Sequence, residues 1–209
     1  MIAAIVDDEV PPVSGFVESA FNPLVYQAVR QCLTGRPGLT GRPADGARTA
    51  LVLASTMGDT DTLDLGSRRL VAGQVHNPLL FMQSTANAIL GRLSLDFAIT
   101  GPLLALSVLG NLAGELLTTA ELLRADGELD RIVLVGVELA GSERTATAHR
   151  ELGTNPPAVS AAVAIALDRD DPIPSCPCGN PSVPPIQSAT YGSLCGLVEV
   201  AARIRGAKP

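Results

Sequence analysis

The chain has 209 residues, of which 46% are hydrophobic and 17% charged, a composition that excludes global disorder and fits one packed α/β domain. The net charge is −6 and no Lys/Arg run is present, which disfavours a nucleic-acid-binding face. Aromatic residues make up only 3% and Trp is absent, so the core must be built from Ala, Val, Leu and Ile, as suits helices packed on a buried sheet.

The leading MIAAIVDDEV has no basic segment and meets acids early, so it does not read as a signal peptide. The apolar stretches are broken well short of a membrane span. A soluble, cytoplasmic protein is the expectation.

Ile2–Val6 is short and apolar and reads as a strand. Asn22-Pro23 opens a helix through about Leu33, with Leu24, Ala28 and Cys32 on one stripe. Gly35 to Gly46 reads as a loop. Ala50–Ser55 is a continuous apolar run, the signature of a strand buried on both faces. Thr60–Ala72 is expected to be helical, as is Ser84–Phe97 with its stripe of Ala88, Ile89, Leu93 and Phe97. Leu103–Ser107 reads as a second buried strand. Asn111–Ala125 is the clearest helix, with Leu112, Leu116, Ala120 and Leu123 at helical spacing, and Gly127 punctuates its end. Arg131–Leu139 and Val159–Leu167 give two further strands. Residues 168–190 carry repeated Pro and read as a linker or extended arm, followed by a terminal helix from Gly192 to Ile204. The order predicts a mostly parallel sheet covered by helices.

The four cysteines, Cys32, Cys176, Cys178 and Cys195, form no CxxC pair and no ligand set with His76 or His149, so neither a metal nor another cofactor is expected. Arg68, Arg69 and Arg92 are the candidates for a local basic patch, though scattered surface arginines account for them as well. His149 falls in a stretch read as a polar loop.

From Ala50 to Leu139 the sequence resembles the N-terminal half of the β-ketoacyl synthases, which have the thiolase fold. Those enzymes carry an apolar strand, a Gly-rich turn, a helix, a segment F-x-x-S-x-x-N-x-x-x-G, then Gly-Pro and a strand leading to the nucleophilic cysteine. Here Phe81, Ser84, Asn87, Gly91, Gly101 and Pro102 stand at that spacing. The resemblance implies an α/β fold: a thiolase-like half-domain over residues 1–167, an arm over 168–190 and a C-terminal helix over 191–209. That helix faintly resembles one in the family's second half, most of which would then be missing.

In the family the thiolate sits at a strand-to-helix elbow, where the helix N-terminus favours ionisation and backbone N–H groups hold an oxyanion. The matching position, eight residues past the proline, is Gly110. Its neighbours Leu109 and Asn111 are no better as nucleophiles, and no cysteine lies between Cys32 and Cys176. A glycine has nothing to acylate, so no catalytic residue is expected by the family route. His76 and His149 match no family histidine.

The resemblance is nearest to the short chain length factors that accompany ketosynthases of aryl-polyene and polyketide biosynthesis. It implies a non-catalytic partner of a catalytic ketosynthase, meeting acyl carrier protein mainly through that partner and shaping its acyl tunnel. Phe81, Met82, Gln83, Leu106, Leu109 and Gly110 are the expected tunnel and interface residues, and the helices 84–97 and 111–125 the surfaces expected to need covering. The competing readings are a stand-alone acyl- or carrier-protein-binding module, and a small decarboxylase or hydrolase. The latter would have only Ser84, Ser107 and Asp59 as nucleophile or base, and the sequence holds no G-x-S-x-G elbow.

Overall fold

The structure, a computed structural model, describes residues 1–7, 9–16, 18–34, 46–74, 79–125, 127–177 and 188–206, with Ser188 and Ala189 described by their backbone alone. His76, Cys178 and much of the two Pro-rich stretches lie outside the described residues.

Five strands form one sheet: β1 (Ile2–Val6), β2 (Thr49–Ser55), β3 (Leu103–Ser107), β4 (Arg131–Glu138) and β5 (Ala161–Asp168), in the spatial order β1-β5-β4-β2-β3. β2 pairs in parallel with both β3 and β4, while β5 is antiparallel to both β1 and β4. Four strands therefore point one way, as a mostly parallel sheet requires, and β5 runs against them.

Alternation along each strand divides the core in two. One face, with Leu51, Leu53, Val133, Val135 and Ala164, is covered by α1 (Phe21–Thr34) and by Ile89, Leu90 and Leu93 of α4 (Ala86–Asp96). The other, with Val52, Leu134, Val163 and Ile165, is covered by α5 (Leu112–Ala125) and α8 (Cys195–Gly206). The remaining helices are α2 (Thr60–Val71), α3 (Leu79–Gln83), α6 (Glu143–Glu151) and the short α7 (Ser188–Tyr191).

Two glycines make this packing possible. A Cβ at Gly136 on β4 would lie 2.7–2.9 Å from methyls of Leu197, Leu194 and Leu112, so α5 and α8 meet directly over that residue. A Cβ at Gly101 would lie 2.3 Å from the Thr49 carbonyl oxygen. Next to it, Pro102 accepts the Leu51 N–H at 2.9 Å, so the Gly-Pro pair is what brings β3 against β2.

Several sequence expectations need correction. β3 is not a buried strand: it is the edge of the sheet, and its residues alternate between exposed and half-buried. Its apolar residues pack on one side only. Residues 143–151 are not a loop but helix α6, capped by the Ser142 hydroxyl, which accepts the Thr145 N–H at 3.0 Å. His149 sits within it, fully buried. The helices 84–97 and 111–125 already spend their main apolar stripes on the sheet; what they leave outside is chiefly Leu95 and Leu122.

The start of the presumed arm is docked. Arg124, in the last turn of α5, donates to the carbonyls of Asp168 and Asp171, and Asp171 pairs with the Met1 ammonium. From there Ile173 and Cys176 pack against the α5/α8 cluster, and the Cys176 thiol reaches Asn111 at the opposite end of α5. Residues 171–176 thus run back along α5 to its N-terminus.

Candidate functional site at the ends of the parallel strands

Most of the buried polar side chains among the described residues gather around the C-terminal ends of β2 and β4. β2 ends in a turn where the Ser55 hydroxyl accepts the Gly58 N–H at 3.0 Å. Asp59 then caps α2 by accepting the Thr62 N–H at 3.2 Å. The same carboxylate accepts the Ser19 hydroxyl at 2.6 Å and the Asn22 amide at 3.4 Å. Burial pushes the Asp59 carboxyl above its ordinary value, against the lowering effect of its hydrogen bonds to Ser19 and Thr62.

The end of β4 is held differently. The buried Glu138 accepts the Thr56 N–H at 2.7 Å and the Ser193 hydroxyl at 2.8 Å. His149 stands beside it: Nε2 lies 4.0 Å from Glu138 Oε2, and Nδ1 contacts the Thr154 hydroxyl at 2.8 Å.

The elbow lies at the end of β3. The Val108 N–H donates to the Ser55 carbonyl at 2.9 Å, the last ladder bond before the turn. Leu109 and Gly110 are exposed. Asn111 then starts α5: its side-chain Oδ1 accepts the Gly114 N–H and its carbonyl the Glu115 N–H, both at 3.0 Å. A Cβ built on Gly110 meets nothing within 4 Å. A strand-turn-helix junction is therefore present and open at Gly110, which carries no side chain.

The six expected tunnel and interface residues fall in two groups, both tied to the end of β2. Leu106, Leu109 and Gly110 are joined to it through Val108 and Ser55. Phe81, Met82 and Gln83 are joined to it through α3: the Gln83 carbonyl accepts the Asn22 amide at 3.0 Å, and Asn22 in turn reaches Asp59. Met82 is 66% exposed and Leu109 64%, while Leu106 packs against the α5/α8 cluster. Phe81 is half-buried over Gly66, where a Cβ would lie 3.4 Å from its ring. Gln83 is buried, and its amide also donates to the Gly15 carbonyl.

The residues weighed for independent catalysis are each engaged elsewhere. The Ser84 hydroxyl donates to the Phe81 carbonyl at 2.8 Å, and that of Ser107 to the Thr56 carbonyl at 3.2 Å. The three arginines make no patch: Arg69 pairs with Glu18 and Arg92 with Asp96, both at 2.9 Å. Arg68 faces a groove of about 830 Å³ between α2 and α6, lined also by Arg144 and by the acids Asp61, Asp64, Glu143 and Glu151. Among the described residues no helix is long and apolar enough to cross a membrane.

No sequence pattern points to what stands next to Gly110. The Cys176 thiol donates to Asn111 Oδ1 at 3.4 Å, so a sulfur from the C-terminal segment lies beside the elbow. A separation of 65 positions leaves no pattern that could announce it.

An edge-terminated, mostly parallel sheet with helices on both faces, a Gly-Pro entry to β3 and a strand-to-helix elbow define a thiolase-like fold of the ketosynthase type. The chain is similar in structure to the ketosynthase ApeO in complex with its chain length factor ApeC from Xenorhabdus doucetiae, with a TM-score of 0.56, 17% identity, and coverage of 78% of this chain and 63% of that chain. It is similar to the ishigamide ketosynthase/chain length factor, with a TM-score of 0.60, 15% identity, and coverage of 79% of this chain and 48% of that chain. A β-ketoacyl synthase from Burkholderia phymatum STM815 aligns with a TM-score of 0.56 and 13% identity, over 77% of this chain and 46% of that chain. The chain thus spans between 46% and 63% of the length of these structures, and what it shares with them is the fold. No family model and no curated protein matches the sequence.

Proposed function

We propose that this chain is a non-catalytic, ketosynthase-like subunit of the chain length factor type. It pairs with a catalytic β-ketoacyl synthase and helps shape the tunnel that receives the growing acyl chain in polyene, polyketide or fatty-acid-type elongation. The observation that carries the reading is Gly110: an elbow of the right geometry with hydrogen where an acyl acceptor would stand. Two of the structural neighbours are ketosynthases solved together with chain length factors, which supports the same assignment.

The exposed side of β3 supports a partner at that edge. Its outward N–H and C=O groups have no strand beyond them among the described residues, and the adjoining Leu103 and Leu109 are 37% and 64% exposed. Pairing there would satisfy the edge and bury apolar area in one step. Met82 and Leu109 are then the side chains placed to reach a tunnel, and Met suits irregular apolar space. Contact with acyl carrier protein then falls mainly to the catalytic partner.

The test is expression alone and together with a candidate ketosynthase, followed by size exclusion and an elongation assay. A one-to-one complex that elongates acyl chains, with a separately purified chain that does not, is the expected result. Acyl turnover by this chain without a companion would overturn the proposal.

A further inference from the structure

β1 and β4 both run antiparallel to β5, so both end where β5 begins. Over these three strand ends lies a pocket of about 520 Å³, within the range of small-molecule sites. Buried Phe16, Pro23 and Leu24 and half-buried Val10 and Val159 give it an apolar lining. One wall is tied together by backbone: the Ser160 hydroxyl accepts the Ala140 N–H at 2.9 Å, and the Ala158 N–H donates to the Thr190 carbonyl at 2.9 Å.

The ionisable groups of this pocket all have one sign. Asp7, Glu9 and Glu18, each exposed, belong to its lining, and no Lys, Arg or His does. Arg69, from outside the pocket, pairs with Glu18 at 2.9 Å and offsets one of the three charges. The Asp7 carboxylate accepts the Tyr191 hydroxyl, a neutral donor that leaves its charge in place. Glu9 forms no ion pair among the described residues. Glu18 also holds a left-handed backbone, φ 67°, a conformation that a residue with a Cβ seldom adopts and that gathers at ligand sites. The larger groove between α2 and α6 differs, because Arg68 and Arg144 stand among its acids.

We infer that the pocket at the ends of β1 and β4 binds a small organic cation, a primary amine carrying an apolar body. The body displaces water from the lining of Phe16, Leu24 and Val159, and the ammonium stays at the mouth against Asp7 and Glu9. A carboxylate on the same body would meet like charge there, and a neutral group would gain nothing from it. The site is separate from the elbow, since β5, β4 and β2 stand between β1 and β3. The inference does not rest on the proposed pairing with a ketosynthase.

The experiment titrates the full chain at neutral pH and low salt with 1-naphthylmethylamine, and with 1-naphthalenemethanol and 1-naphthaleneacetate as neutral and anionic counterparts. Trp is absent, so naphthalene fluorescence is read without a competing indole. The expected result is saturable one-to-one binding of the amine, binding of the alcohol weaker by about fivefold, and none of the acetate. Glu9→Lys should weaken the amine by about tenfold and leave the alcohol unchanged. Ala158→Phe and Ala20→Phe add bulk to the lining from exposed positions and should each remove binding, with an unchanged circular dichroism spectrum. Equal binding of the three probes, no saturable binding of any, or amine binding that survives all three substitutions overturns the inference. Because the readout is a small molecule on the chain alone, its failure is distinct from failure of the subunit assignment.

Discussion

The Glu138 carboxylate accepts the Thr56 backbone N–H at 2.7 Å and so fastens the end of β4 to the turn that follows β2. Ser193 donates to the same oxygen, which adds the segment leading into α8. Glu138→Ala strands a buried N–H and a hydroxyl, and is expected to cost about 1–3 kcal/mol. Glu138→Gln keeps an acceptor and should cost less. Urea unfolding midpoints of the two variants check the order.

Gly136 and Gly110 should behave oppositely when given a methyl group. Gly136→Ala drives a carbon into three leucine methyls and is expected to lose about 1–3 kcal/mol through overpacking. Gly110→Ala meets open space, so its change should stay within about 0.5 kcal/mol. Thermal unfolding of both, side by side, decides whether the elbow is as open as described.

Asp59 predicts a pH dependence with a definite sign. Burial raises its folded-state pKa above the ordinary 3.8, so the unfolded chain ionises first as pH rises. The contribution of this group to stability is therefore full below 3.8 and declines as pH climbs through the raised folded value. Asp59→Asn removes that decline. Parallel urea titrations of the two proteins across the acid range should converge or diverge accordingly, and parallel curves would refute the assignment.

The β3 edge offers a test of the partner that leaves the fold intact. The Leu51 N–H donates to Pro102 and the Val108 N–H to Ser55, so by strand alternation the Ala105 N–H faces away from β2. Ala105→Pro removes only that outward donor. The variant should fold with a nearly unchanged circular dichroism spectrum and fail to co-purify with the ketosynthase.

Met82→Trp and Leu109→Trp enlarge exposed side chains at the expected tunnel wall. Products of the reconstituted pair should become shorter while the rate of substrate consumption holds. Unchanged product length in both, by mass spectrometry, would remove these residues from the tunnel.

How far the sequence carried can be read element by element. β2 and β4 are continuous apolar runs because helices cover both faces, and that pattern was legible. LLALS has the same composition yet lies at the edge, since apolar content records packing on the faces and not the presence of a second neighbour. The direction of β5 was not legible, because an apolar strand looks the same either way round. Helix α6 was missed because ERTATAHRE buries only Thr145 and His149 and shows no apolar stripe. Its cap, Ser142, was the one available signal. At the elbow, Gly110 is reached by counting from Gly101-Pro102 along the family resemblance, whereas Cys176 reaches Asn111 only through the tertiary course of 171–176.

The reversed strand has a consequence for how the protein is made. β1 has β5 as its only partner among the described strands, and their register joins Ile2 to Ala166. During synthesis, Ile2–Val6 therefore leaves the ribosome long before the strand it needs exists, and it waits with both backbone edges open. Until β5 arrives that short apolar segment has no strand to pair with, and lengthening the delay should raise the aggregated fraction.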